Sequence, residues 1–353
     1  MRLNKSTLDD SRYRFVAEWE LHSATWIGWP SNRSDWPGKF SIVKWAFAEL
    51  ILKIAHYERL NILVNDESAK NDAMQFLLKL NVNFENINFV IQMLDRNWMR
   101  DIGPIFLLDS NQEKVLIDFH FNGWGKYDNY QRDRKLPYAI TKLIDVQYHN
   151  AQIDGIEITL EGGAIDTNGR GTLITTEQTL LDQSKQVRNR KFDKEDYRKV
   201  FQKYGNIDQI IWLKNGIEGD DTNGHVDDVA RFVAADKVVY ANEDNSRDIN
   251  YAALNVNREI LESATLADGS KIDLIPLPMP APLYYDGYRL PASYTNFYIL
   301  NGLIVVPTFN DPKDKIAAGI LQELFNDRVV VGIHAVDLIL GLGSIHCLTQ
   351  QEP

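Results

Sequence analysis

The chain holds one cysteine, Cys347, in GLGSIHCLTQQEP near its C-terminal end and directly after a histidine. Thiols attack as thiolates, so a catalytic cysteine needs a base or a positive neighbour. Without one, a buried free cysteine is a small hydrophobe. If the segment is a strand, His346 faces away from Cys347, and the partner must come from elsewhere. His225 and Asp227 in GHVDD are two apart and would share one face of a strand. Asp101 in WMRDIGP and Glu161 in LEGG complete the candidate set. Each has an ordinary alternative: a core histidine, an ion pair between Asp101 and Arg100, a turn capped by Glu161. Taken together the types are more specific. Carboxylates grip a planar cation through paired charge-assisted hydrogen bonds, which is guanidinium geometry. A thiolate can attack the guanidinium carbon, and the bound cation helps to stabilise that thiolate. A histidine can protonate departing ammonia and then activate water. The constellation therefore points to a guanidine-cleaving enzyme.

Other chemistries fit poorly. One thiol amid carboxylates matches no usual zinc spacing, and neither a G-x-x-x-x-G-K-[ST] loop nor a G-x-G-x-x-G turn is present. The formal net charge of -11 argues against a nucleic-acid partner. No apolar run is long enough to span a bilayer. The start, MRLNKSTLDDSRYRF, lacks the apolar core of a signal peptide, and a single cysteine forms no internal disulfide. These features lead to the expectation of a cytoplasmic protein without metal or cofactor.

The elements that must position the site alternate between helical and extended. Apolar spacing predicts helices over 41–58, 66–80 with Asp66 as N-cap, 193–205 closed by Gly205, 246–264, and 311–325 with Pro312 in the first turn. RLNILVN, NINFVIQ and RVVVGIHA read as strands. Four segments, starting at Trp98, Leu160, Gly224 and Ser293, share one plan of polar residues, strand, tight turn and strand, at intervals of roughly 65 residues. SATWIGWPSN and GSIHCLT read as the halves of a fifth copy divided between the chain ends. The pattern predicts an α/β fold of five ββαβ units closed into a ring, one domain over 1–353. The polar openings Asp101, Glu161, His225, Asp227 and Cys347 would face a common centre.

These stretches also resemble a known family. TWIGWP, WMRDIGP, FNGWG, LEGG, TNGHVDDVARF, ASYTNFYILNG and IHCLTQQ run in order from near residue 20 to the end, and they are similar to the agmatine deiminases, guanidine-modifying enzymes of the pentein fold. The resemblance implies a five-bladed α/β propeller, no cofactor, a homodimer, and conversion of agmatine and water to N-carbamoylputrescine and ammonia. By motif position it implies Cys347 as nucleophile through a thiouronium, His225 as acid and base, Asp101 and Asp227 as the guanidinium grip, and Glu161 orienting His225. Trp98 would pack on the alkyl chain. Asp221, with Asp220 as second choice, is placed to meet the distal ammonium. Arg289 is the loop arginine that an arginine substrate would want. The alternatives are a deiminase of the same family acting on arginine, C-terminal peptidyl arginine or another alkylguanidine, and a binding-only protein of this fold. The chain departs from the family pattern at DRNW, where NDAW is usual, and at GLGSIHC, where GGGNIHC is usual.

Overall fold

The computed structural model describes residues 13–353; most of the polar start read above lies outside the described residues. Among the described residues are five sheets of three or four strands and two small hairpins. The five sheets follow one plan. A strand pairs antiparallel with the next, which pairs parallel with a third across a helix. Ile105–Asp109, Lys114–Asp118 and Gln147–Asn150 form one such set, crossed by Leu136–Ile140. Ile165–Thr167, Thr172–Thr176 and Gln209–Leu213 form another, crossed by Lys194–Gly205. Ala230–Ala234, Lys237–Asn242 and Asp273–Pro278 follow, crossed by Tyr251–Ser263. Tyr298–Leu300, Leu303–Thr308 and Val329–His334 are next, crossed by Lys313–Leu324. In the remaining sheet the last strand, Thr349–Glu352, pairs antiparallel with Ala24–Gly28, so the two ends of the described chain share a sheet. Leu60–Val64 and Ile87–Ile91 extend it in parallel, and Phe40–Tyr57 crosses between its first two parallel strands.

The elements form where periodicity and capping agree. In Phe40–Tyr57, Val43, Phe47, Leu50, Ile51 and Ile54 make a buried stripe at helical spacing. Leu60–Val64 is buried throughout, as a parallel strand covered on both faces must be. Ile27, Ile62 and Ile304 are fully buried, each contributing about 1.5–3 kcal/mol through apolar burial. The Asp66 side chain accepts the Ala69 N–H at 2.8 Å, as its N-cap role requires.

Three expectations change. The helix starting at Lys194 is closed by Asn206, whose φ of 55° is left-handed, and Gly205 lies inside it. A Cβ at Gly205 would collide with the Phe15 ring, so that glycine serves packing and not capping. The helix expected from 246 begins at Tyr251. The segment around Cys347 is a helical turn, Ile345–Leu348, before it becomes a strand.

Candidate active site

The polar residues expected at strand starts sit instead on, or directly before, single helical turns. Met99–Ile102 carries Asp101 and Ile345–Leu348 carries Cys347. Glu161 precedes the 3-10 turn Gly162–Ala164, and His225 precedes Val226–Asp228. Strand alternation is therefore not what brings His225 and Asp227 together. Helical geometry also separates sequence neighbours: Asp101 and Cys347 line a cavity of about 380 Å³, whereas Arg100 and His346 line a separate pocket of about 50 Å³.

Close packing of these turns depends on small residues. Arg100 O occupies the space a Cβ at Gly162 would take. A Cβ at Gly163 would lie 2.5 Å from His225 Nδ1 and 2.9 Å from Asp101 Oδ1. Without it, Gly163 donates its N–H to Asp101 Oδ1 at 3.1 Å, and Trp124 Nε1 donates to Oδ2 at 2.9 Å. His225 has Asp101 Oδ1 3.7 Å from Nδ1 and Glu161 Oε2 3.9 Å from Nε2. Neither ring nitrogen has a hydrogen-bond partner. Glu161 is anchored by Arg188 Nε at 3.0 Å, and both side chains are fully buried.

The charges follow from this arrangement. Burial alone would lower the His225 pKa, but Asp101, Glu161 and Asp227 hold it up at about 9. Burial pushes Asp101 up to about 6; the His225 charge pulls downward while Asp227 and Glu161 push further up. Burial would raise Glu161 as well, yet Arg188 and His225 hold it at about 2. For Cys347, burial and then Asp227, Asp228 and Asp101 push the thiol well above its ordinary value. In the unliganded site these surroundings favour the neutral thiol of Cys347 and the cationic form of His225.

Asn296 organises the cysteine. Its Nδ2 donates to Cys347 Sγ at 3.1 Å and to Asp228 Oδ1 at 3.0 Å, while its Oδ1 accepts the His346 N–H at 3.0 Å. The thiol donates to Asp227 Oδ2 at 3.7 Å. The same oxygen meets His346 Nδ1 at 2.7 Å, and Asp227 Oδ1 is buried with no partner. Burial works upward on Asp227, but the hydrogen bond and charge of His346 bring it below the ordinary range. Asp228 goes the other way: burial and the neighbouring Asp227 hold it well above the carboxylate range.

Along the cavity wall, Trp98 lies on Trp36 with ring centroids 5.5 Å apart and donates Nε1 to Asp35 Oδ2 at 3.3 Å. A Cβ at Gly343 would come within 2.8 Å of the Trp98 ring and 3.2 Å of Cys347 Sγ, so one indole lies along the path from thiol to Asp35. Asp35 pairs with Arg96 at 2.8 Å, and the Arg96 guanidinium lies 3.9 Å from the Tyr127 ring centroid. Asp221 lines the cavity, tied to Lys126 and to the Tyr127 hydroxyl at 2.6 Å. Asp220 does not line it. Its oxygens accept the backbone N–H groups of Thr222, Gly224 and His225 and hold the loop before the imidazole. Arg289 pairs with Asp248 at 2.8 Å, outside the cavity lining. At the GLGSIHC departure, Leu342 has a φ of 67°, a left-handed conformation that suits the glycine usual there. Ser344 Oγ donates to Asn296 Oδ1 at 2.9 Å.

Sequence reasoning passed over Asn296, Trp124, Arg188, Asp35, Glu18 and the bridging position of His346. Asn296 and Trp124 lie inside quoted motifs; Arg188, Asp35 and Glu18 carry no local signal.

Comparison with known proteins adds a family. A family model described as Porphyromonas-type peptidyl-arginine deiminase matches residues 14–353. An agmatine deiminase of Pseudomonas aeruginosa is 34% identical over 364 aligned positions, covering 97% of this chain and 95% of that protein. The solved agmatine deiminase of Enterococcus faecalis superposes with a TM-score of 0.90 at 28% identity, covering 100% and 99% of the two chains. The agmatine deiminase of C. jejuni gives 0.82 at 26%, covering 97% and 96%.

Proposed function

The chain belongs to the Porphyromonas-type peptidyl-arginine deiminase family, and from that premise we propose that it hydrolyses agmatine to N-carbamoylputrescine and ammonia at Cys347. The observation that carries this reading is the cavity in which Cys347 and Asp101 meet, with His225, Glu161 and Asp227 closed around them. We read the five sheets as blades of one closed ring forming a single domain, a five-bladed α/β propeller; the pairing of Thr349–Glu352 with Ala24–Gly28 supports this.

Guanidinium enters between Asp101 and Asp227, whose free Oδ1 is a ready acceptor. Its positive charge offsets the carboxylates that keep the thiol neutral, so the thiol releases its proton to solvent and the thiolate forms when substrate arrives. Sγ then bonds to the guanidinium carbon. His225 gives its proton to one amino group, the C–N bond breaks, and ammonia leaves a thiouronium on Cys347. Glu161, fixed by Arg188, keeps the imidazole aimed at that group. Neutral His225 next takes a proton from water, whose oxygen bonds to the same carbon. Collapse breaks the C–S bond and frees the hydroxyl proton, leaving a ureido group and a thiolate. Of the two protons released, one restores the thiol and the other turns the ammonia into ammonium. Overall, guanidinium plus water gives urea-type product plus ammonium.

One observation favours a second reading. Arg96, at the DRNW departure, puts a cation beside Asp35 in the far half of the cavity, where a substrate carboxylate would pair with it. The test is release of ammonia and ureido product from agmatine, arginine and a C-terminal-arginine peptide, with Cys347→Ser as control. Turnover of agmatine that Cys347→Ser abolishes is the expected result. Turnover of arginine or the peptide alone moves the specificity to the second reading. A Cys347→Ser enzyme with near-normal rates would remove the thiol as nucleophile.

A further inference from the structure

His346 has no part in that reaction scheme, yet it is 2% exposed and bonded at both ring nitrogens. Nδ1 meets Asp227 Oδ2 and Nε2 meets Glu18 Oε2, each at 2.7 Å. A neutral imidazole has one donor; two such contacts to carboxylates call for two. Glu18 is itself gripped from three elements. Arg231 NH2 lies 2.8 Å from Oε1, Arg100 NH2 lies 3.1 Å from Oε2, and the Ile299 N–H donates to Oε1 at 2.9 Å. Asp166 pairs with Arg231 from a strand of another sheet, and the Tyr298 ring lies tilted to that of His346, centroids 6.5 Å apart. Glu18, Arg100 and His346 line the small pocket, with Asp227 between His346 and the thiol.

We propose that His346 is a positioning residue for guanidine hydrolysis: clamped by Glu18, it binds one oxygen of Asp227 and so leaves Oδ1 free and ionised to face the substrate cation. The argument rests on the guanidine reading of the site but not on agmatine being the substrate. Besides His346, Asp227 Oδ2 has among the described residues only longer contacts, with Asn296 Nδ2 at 3.4 Å and the Cys347 thiol at 3.7 Å. The cations His225 and Arg231 are opposed by the carboxylates Asp228 and Asp101. Without His346 the carboxylate would be held loosely and would keep its proton to higher pH in this buried setting. The column from Arg100 and Arg231 through Glu18 and His346 removes both freedoms. Its charges alternate in sign from the small pocket to the cavity.

The test uses His346→Gln and Glu18→Gln in the full-length chain, each checked for folding by thermal melting. KM for agmatine should rise about tenfold or more, on the scale of a lost buried charged partner, with a smaller change in kcat. The acid limb of kcat/KM, set by Asp101 in the wild type, should steepen or move to higher pH, because Asp227 then holds a proton as well. A reading independent of turnover is the ratio of Cys347 alkylation rates by a cationic haloamidine and a neutral haloamide. That ratio should fall in both variants. Folded variants with wild-type KM, acid limb and ratio would overturn the proposal. If neither variant folds, ¹⁵N NMR of the wild-type imidazoles decides: protons on both His346 nitrogens are expected, and a bare nitrogen overturns it. Failure of wild-type agmatine turnover with an intact alkylation ratio would sink the substrate assignment and leave the positioning role standing.

Discussion

Two neighbouring groups at the reacting end are set to opposite tasks by their surroundings. Asp101 must be ionised to hold a guanidinium, and burial delays that ionisation to about pH 6. His225 must be protonated to release ammonia, and the carboxylates around it keep the proton on to about pH 9. Activity should therefore fade as pH falls through about 6 and as it rises through about 9, giving a bell in kcat/KM. An acid limb in the ordinary carboxylate range would remove Asp101 from the grip, and the lack of any alkaline limb would remove His225 as the acid. The same shift bears on stability: His225, raised above its unfolded value near 6.5, stabilises the fold fully below that pH and less as pH passes about 9. At this scale chemistry and motif in the sequence singled out residues that the fold brings together, as at Cys347, His225, Asp101, Asp227 and Glu161. Asp221 and Asp220 are adjacent and identical in type. Only the loop's hydrogen bonds separate the one in the cavity from the one beneath it.

Single helical turns at the mouths of the sheets carry the site residues, and glycines let those turns approach. Gly163 is the clearest case, because two site side chains lie where its Cβ would be. Gly163→Ala should leave the sheets intact, since the change sits on a turn outside the strand ladder. It should lower kcat by about 10²-fold, the scale of a small misplacement of catalytic groups. The check is steady-state kinetics with a melting curve on the same sample. Loss of fold, or a kcat near wild type, would show that the contact is not a catalytic constraint. Helices and strands were legible because apolar spacing and caps agree, as in 41–58 and at Asp66. The turns were not: four residues of MRDI or IHCL are too short to show a period, and after MRDI the apolar run IFLL made a strand the natural expectation. Gly205 misled for a related reason. A glycine at a helix end reads as a cap, while its actual neighbour, Phe15, is remote in sequence.

For the whole molecule, the decisive join is between the two ends of the described chain. Thr349–Glu352 completes the sheet begun by Ala24–Gly28, and its side chains tie that sheet to others. Trp26 Nε1 donates to Glu352 at 2.8 Å, Lys114 from another sheet pairs with Glu352 at 2.5 Å, and Gln350 donates to Pro104 O at 2.8 Å. Arg100 NH1 donates to Gln351 at 2.6 Å, linking the last strand to the turn that carries Asp101. Non-local pairings of this length close late and hold the ends only while the ladder is complete. Deleting residues 349–353 keeps Cys347 but removes the strand that fixes its turn. The loss includes ladder bonds of about 0.5–1.5 kcal/mol net each and several buried polar contacts. Together they are comparable to the ~5–15 kcal/mol margin of a folded domain. The truncated chain should therefore be insoluble or melt far below the full-length protein, and be inactive in spite of its thiol. Soluble truncated protein with a wild-type melting temperature would show that the ends need not be joined, and would count against reading the five sheets as one closed ring. Soluble protein that is folded but inactive would instead confine the strand's role to holding Cys347 and Asp101 in register.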